Sequence, residues 1–128
     1  MKGAVGRRAD HRIAYGREDI RDRVLEITGG RGADVVFDPV GGGAFDASLR
    51  CVAWEGTLLV IGLASGRVPE APAWRILIRN SSVVGLDWGG YLRREPQTVG
   101  ASIAEALRWY VEGALDPQPS RWSKPPRL

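Results

Sequence analysis

Two short glycine-rich segments hold the residues in this chain best suited to chemistry. The first is Asp38-Pro39-Val40-Gly41-Gly42-Gly43 and the second is Gly62-Leu63-Ala64-Ser65-Gly66. Glycine lets a ligand approach the main chain closely, and amides at the start of a following helix can hold an anion. Ordinary tight turns between strand and helix would carry the same glycines. No nucleophilic triad competes with these segments. Ser48 falls inside a predicted helix and His11 in an irregular lead-in, so no catalytic residue is assigned. Cys51, on a predicted helix face, reads as a small core residue. With one cysteine and one histidine, the chain has neither an internal disulfide nor a Cys/His zinc site. The full dinucleotide fingerprint, G-x-G-x-x-G between strand and helix, is also missing. Gly3 and Gly6 precede no helical pattern, and Gly41-x-Gly43 is followed by Asp46 where the third glycine belongs.

The elements that must position these segments alternate. Arg12–Tyr15 reads as a short strand. Ile20, Val24 and Ile27 then recur at helical spacing within a helix over Arg17–Thr28, and Gly29-Gly30 supplies a left-handed stop. Ala33–Asp38 is a buried strand, followed by a helix that opens at Gly41-Gly42-Gly43 and runs through Cys51. Thr57–Leu63 is continuously apolar and too short for a stable helix, the pattern of a strand covered on both faces in a parallel sheet. Val68–Ala73 is proline-rich, and Trp74–Ile78 fits either a short helix or a strand, the helix slightly better. Ser82–Trp88 is a further strand closed by Gly89-Gly90, and a long helix runs from Pro96 to Glu112. Strand, helix and strand in this order form a right-handed βαβ unit, whose ligands bind beyond the carboxyl ends of the strands. Trp74, Trp88 and Trp109 read as packing groups.

A length of 128 residues suits one domain, and 44% hydrophobic with 26% charged residues lies in the globular range. The net charge of +3 misleads as to partners: residues 1–12 and 118–128 each carry +3, while 13–117 carries −3. A nucleic-acid binder would show its basic stripe on the folded part, so nucleic acid is not an expected partner. No apolar run approaches the roughly 20 residues of a membrane helix, and the first residues lack the apolar core of a secretory signal. The expected compartment is the cytoplasm. The expected organisation is an irregular lead-in over 1–10, one domain over 11–117, and a disordered basic tail over 118–128.

The runs Ile13-Ala14-Tyr15-Gly16-Arg17-Glu18-Asp19 and Thr28 through Gly42, then Gly62-Leu63-Ala64-Ser65-Gly66 and Val84-Gly85-Leu86-Asp87-Trp88-Gly89, stand in an order that resembles the quinone oxidoreductases of the medium-chain dehydrogenase/reductase superfamily, the zinc-type alcohol dehydrogenase family. The resemblance covers roughly residues 9–117. It implies an α/β fold, the later part of a Rossmann cofactor domain: a partial parallel sheet with helices on both faces, lacking the first two strands. It implies an oxidoreductase that passes hydride from NADPH to a quinone or enone. Such transfer needs positioning of the cofactor more than a protein acid or base. The implied cofactor contacts are Tyr15 at the adenosine 2′-phosphate, Pro39, Val40 and Gly41 under the cofactor, and Gly62, Leu63 and Ala64 beside its nicotinamide half. No zinc is expected, because the zinc branch uses cysteine and histidine ligands that this chain does not contain.

The family's catalytic domain, its pyrophosphate-gripping glycine turn and its closing segment have no counterpart in the chain. In the Rossmann order 3-2-1-4-5-6, the chain is expected to supply strands 3, 4, 5 and 6. Ala33–Asp38 then becomes an open apolar edge of the kind that invites association. If Ile13–Tyr15 filled that gap, Tyr15 would leave the position the family gives it. Homo-oligomerisation or strand pairing is expected through Ser82–Leu86, the subunit-joining edge of the family, or through the Ala33–Asp38 edge. The leading expectation is a truncated family member, inactive alone. The alternatives are a non-catalytic nucleotide-binding module and a strand-adding interaction module.

Overall fold

A computed structural model describes residues 9–117, which fall into two compact units divided after Asp87. The lead-in expected over 1–10 is described only from Ala9, and the tail expected over 118–128 lies outside the described residues.

Helix α1 of the first unit spans Ile20–Ile27. Asp19 caps it, its Oδ1 accepting from the Asp22 amide at 3.0 Å, and Gly29 and Gly30 end it at φ 61° and 87°. The predicted helix over 17–28 is thus shorter, because Arg17 and Glu18 belong to a turn. That turn also overturns the predicted Arg12–Tyr15 strand. The Arg17 amide donates to the Ala14 carbonyl at 2.7 Å, and the Ala14 amide donates to Glu18 Oε2 at 2.7 Å. With both main-chain groups of Ala14 used locally, nothing remains there for a strand ladder. Asp19→Ala should lower stability by about 1 kcal/mol through the lost cap, read as a shifted urea midpoint at unchanged slope.

The sheet has three parallel strands in the order β1-β2-β3: β1 Ala33–Asp38, β2 Val52–Val60 and β3 Ser82–Gly85. The four strands expected from the sequence are thus three, because no strand precedes Ala33 among the described residues. Helix α2, Gly42–Cys51, joins β1 to β2, and α3, Ala73–Leu77, precedes β3. Val36, Leu58 and Val83 share one register row. They face Phe45 and Leu49 of α2, with Val60 and Ile76 completing this core. The next row, Phe37, Leu59 and Val84, points to the opposite face. There Phe37 and Val84 stay 64% and 44% exposed, and Val35, two residues before Phe37 on the same face, is 64% exposed.

Strand β2 departs from its predicted bounds, Thr57–Leu63, at both ends. It begins directly after α2 and accommodates a kink at Glu55, whose φ is 58° and whose amide donates to the Arg79 carbonyl at 2.9 Å. It stops at Val60: the Ile61 amide makes the last ladder bond to the Asp38 carbonyl at 2.9 Å, and the Gly62 amide turns back to the same carbonyl at 3.4 Å. The third strand likewise ends at Gly85, short of the predicted Trp88.

The second unit holds α4, Trp88–Arg94, and α5, Pro96–Val111, which pack on each other. Gly89-Gly90, read as a stop, lies inside α4. Pro96 occupies the first turn of α5, where a missing amide proton costs nothing. Val99 is the one buried residue of α5, while Ile103, Leu107 and Tyr110 are exposed along it. Among the described residues no helix is long and apolar enough to cross a membrane.

Candidate functional site

Both glycine-rich segments emerge at the carboxyl ends of adjacent parallel strands, β1 and β2. They are bonded to each other. The Pro39 carbonyl accepts from the Ala64 amide at 3.2 Å, and the Val40 carbonyl accepts from the Ser65 amide at 2.9 Å. Asp38, at the end of β1, anchors the first segment from below. Its Oδ1 accepts from the amides of Val40 and Gly41 at 2.8 and 2.9 Å. Arg67 closes the far side by pairing with Asp46 of α2.

Gly41 is the N-cap of α2 at φ 69° and ψ −154°, a conformation that favours glycine, and no side chain caps the helix. A Cβ at Gly41 would also stand 3.0 Å from Leu63 Cδ2, so the two segments touch at their tips. The first turn of α2 opens onto a hollow of about 390 Å³. Its lining includes Tyr15, Val40, Gly41 and Ser65, the acidic Glu18 and Asp19, and Arg50 from the last turn of α2. Tyr15 borders a second hollow of about 570 Å³ together with Arg12 and Arg17. A third, of about 650 Å³, lies at the ends of β2 and β3. Gly62, Leu63, Val68, Pro69 and Leu86 give it an apolar wall, with Asp87 the charged residue of its lining.

The structure therefore gathers the seven residues named from the sequence into one region. Tyr15, Val40 and Gly41 share one hollow and Gly62 and Leu63 share another, while Pro39 and Ala64 form the hydrogen bond between the segments. The turn that replaces the predicted strand puts Tyr15 beside Val40 instead of in the sheet. Arg12, Arg17, Glu18, Asp19 and Arg50 are among the charged lining residues that the sequence reading did not name as site residues. Arg12 and Arg17 flank an exposed tyrosine in sequence, which was a legible signal. Arg50 was not legible, because it reaches this hollow only through the way α2 lies.

Cys51 is buried, and burial pushes its thiol pKa up despite the nearby guanidinium groups of Arg50 and Arg79. It is therefore a protonated packing group at neutral pH. Among the described residues no cluster of histidine, cysteine, aspartate or glutamate could hold a metal ion.

The family model described as "zinc-binding dehydrogenase" matches residues 4–106. A quinone oxidoreductase-like protein 2 homolog from Nematostella vectensis is 42% identical over 103 residues, covering 80% of this chain and 28% of that protein. The quinone oxidoreductase of Pseudomonas syringae superposes with a TM-score of 0.72 at 30% identity, covering 81% of this chain and 32% of the other. The Escherichia coli quinone oxidoreductase, solved in complex with NADPH, gives a TM-score of 0.68 at 28% identity, covering 84% and 33%. The chain spans about three tenths of the length of the relatives it matches. It belongs to the zinc-binding dehydrogenase family, within the medium-chain dehydrogenase/reductases that include the quinone oxidoreductases, and corresponds to the later part of their Rossmann-like cofactor domain.

Proposed function

We propose that this chain binds NADPH across the carboxyl ends of β1 and β2 and serves hydride transfer to a quinone or an enone. The observation that carries this reading is the hydrogen-bonded pairing of the two glycine-rich segments, with one hollow on each side. The first-turn amides of α2 would meet an anionic part of a dinucleotide, while the carboxylates of Glu18 and Asp19 in the same hollow are engaged by the Ala14 and Asp22 amides. The apolar wall of Gly62, Leu63 and Leu86 suits a flat, uncharged ring. Arg12 and Arg17 beside Tyr15 favour a 2′-phosphate over a hydroxyl. The solved relative from Escherichia coli carries NADPH, which supports the choice of cofactor. The cytoplasm is the compartment we assign to this activity.

NADPH should raise the melting temperature of the purified chain in a saturable manner, because a ligand that binds only the folded state stabilises it. A flat titration overturns the reading. Alone, the chain should show no loss of the near-ultraviolet absorbance of NADPH when a quinone is added. Steady turnover would overturn that part.

A second reading has its own support. In the order β1-β2-β3, β1 is an edge strand, which suits it to strand addition. A stoichiometric complex with an intact family member on gel filtration is its expected signature.

A further inference from the structure

One buried acidic group at the site does more than anchor its own turn. Asp38 is 4% exposed, and its Oδ2 is buried with no hydrogen-bond partner. Burying a carboxylate with one oxygen unpaired is unfavourable, so such a group calls for an explanation. Its other oxygen is fully used. Oδ1 receives the amides of both Val40 and Gly41, which closes the Pro39-Val40-Gly41 turn on itself.

The turn in turn holds the second segment. Main-chain carbonyls of three consecutive residues, Asp38, Pro39 and Val40, accept from Ile61, Gly62, Ala64 and Ser65. The carboxylate of Asp38 touches none of these four donors. It orients the carbonyls that do. At the same place, a Cβ on Gly62 would stand 3.0 Å from the Pro39 carbonyl oxygen, so the separation of the segments is held closely.

We infer that Asp38 is the positioning residue of this site: by pinning the Val40 and Gly41 amides, it keeps the Gly62-Leu63-Ala64 segment in register, so that both ends of a bound dinucleotide meet one rigid platform. The inference rests on the dinucleotide reading. It assigns to Asp38 a role acting through its neighbours, with no contact to the ligand. What the role requires of the side chain is acceptor geometry and not charge.

The test uses the chain as described with Asp38→Asn and Asp38→Ala, NADPH as probe, and amide hydrogen exchange as a second readout. Asp38→Asn keeps an acceptor for the two amides and should bind NADPH within about threefold of the parent. Asp38→Ala should weaken NADPH at least tenfold. It should also speed exchange at Ile61, Ala64 and Ser65 at least tenfold, with α1 unchanged. If Asp38→Ala does not fold, Asp38→Ser, which keeps a shorter acceptor, should fall between the parent and a tenfold loss on both readouts.

An asparagine variant as weak as the alanine variant overturns the assignment, because the charge would then matter more than the acceptor. Unchanged NADPH affinity together with unchanged exchange in Asp38→Ala also overturns it, leaving the dinucleotide reading intact. No NADPH binding by the parent chain removes that reading, and the assignment with it.

Discussion

Gly62→Val should cost the chain at least tenfold in NADPH affinity, as large a functional effect as any single substitution here. A Cβ at this position would stand 3.0 Å from the Pro39 carbonyl oxygen and 3.7 Å from Pro39 Cα. The two methyl groups of valine must therefore push Pro39 away or turn into the hollow that Gly62 lines. The first response strains the bond between the Pro39 carbonyl and the Ala64 amide, and the second fills space a ligand ring needs. Gly62→Ala, with one methyl, should show a smaller loss in the same direction. Calorimetric titration with NADPH checks both. Parent-like affinity in the valine variant would remove this segment from the binding site.

Phe45→Ala should unfold the first unit, or nearly so. Phe45 is 1% exposed and packs with Leu49 and Leu58, the latter fully buried. Truncating a buried phenylalanine costs about 3–5 kcal/mol, against about 5–15 kcal/mol for a whole domain. This unit has little reserve, because its sheet buries one face under α2 while Val35 and Phe37 on the other remain exposed. Circular dichroism during heating should show the cooperative transition lost or moved down by tens of degrees. Phe37→Ala provides the contrast: it removes the same side chain from a position 64% exposed and should change stability by less than about 0.5 kcal/mol. Equal losses in the two variants would mean that the exposed face is covered in solution.

The interlock between the segments explains why the site was readable and its organisation was not. Asp38-Pro39-Val40-Gly41 and Gly62-Leu63-Ala64 stand out in a single chain because each ends an apolar β-branched run with residues that leave the ladder. That is local chemistry. The bond from the Ala64 amide to the Pro39 carbonyl joins residues 25 positions apart, and no spacing rule reveals it. Asp38 illustrates the same divide: in sequence it was merely the polar end of a strand.

The departures from the sequence reading have a common origin. Ile13–Tyr15 has strand-forming residues but no neighbour to pair with, so Ala14 bonds to Arg17 and Glu18 instead. Glu55-Gly56 looks like a break between elements, yet β2 passes through it, because β1 and the Arg79 carbonyl hold both sides of the kink. Gly89-Gly90 has poor helix propensity, at about 1 kcal/mol per glycine relative to alanine. Even so, α4 forms there and packs on α5.

By itself, then, the sequence determined what depends on neighbours within a few positions: the glycine-terminated α1, the apolar run of β1, the glycine start of α2 and the proline start of α5. It also determined membership of the family, through motifs kept in order. Tertiary structure decided where strands end, which predicted strand fails, and how Tyr15, Gly41 and Gly62 come to frame one region. The physical reason is that a strand's hydrogen bonds and a site's hollows are satisfied by residues far along the chain. Their partners exist only once β1 and β2 lie side by side.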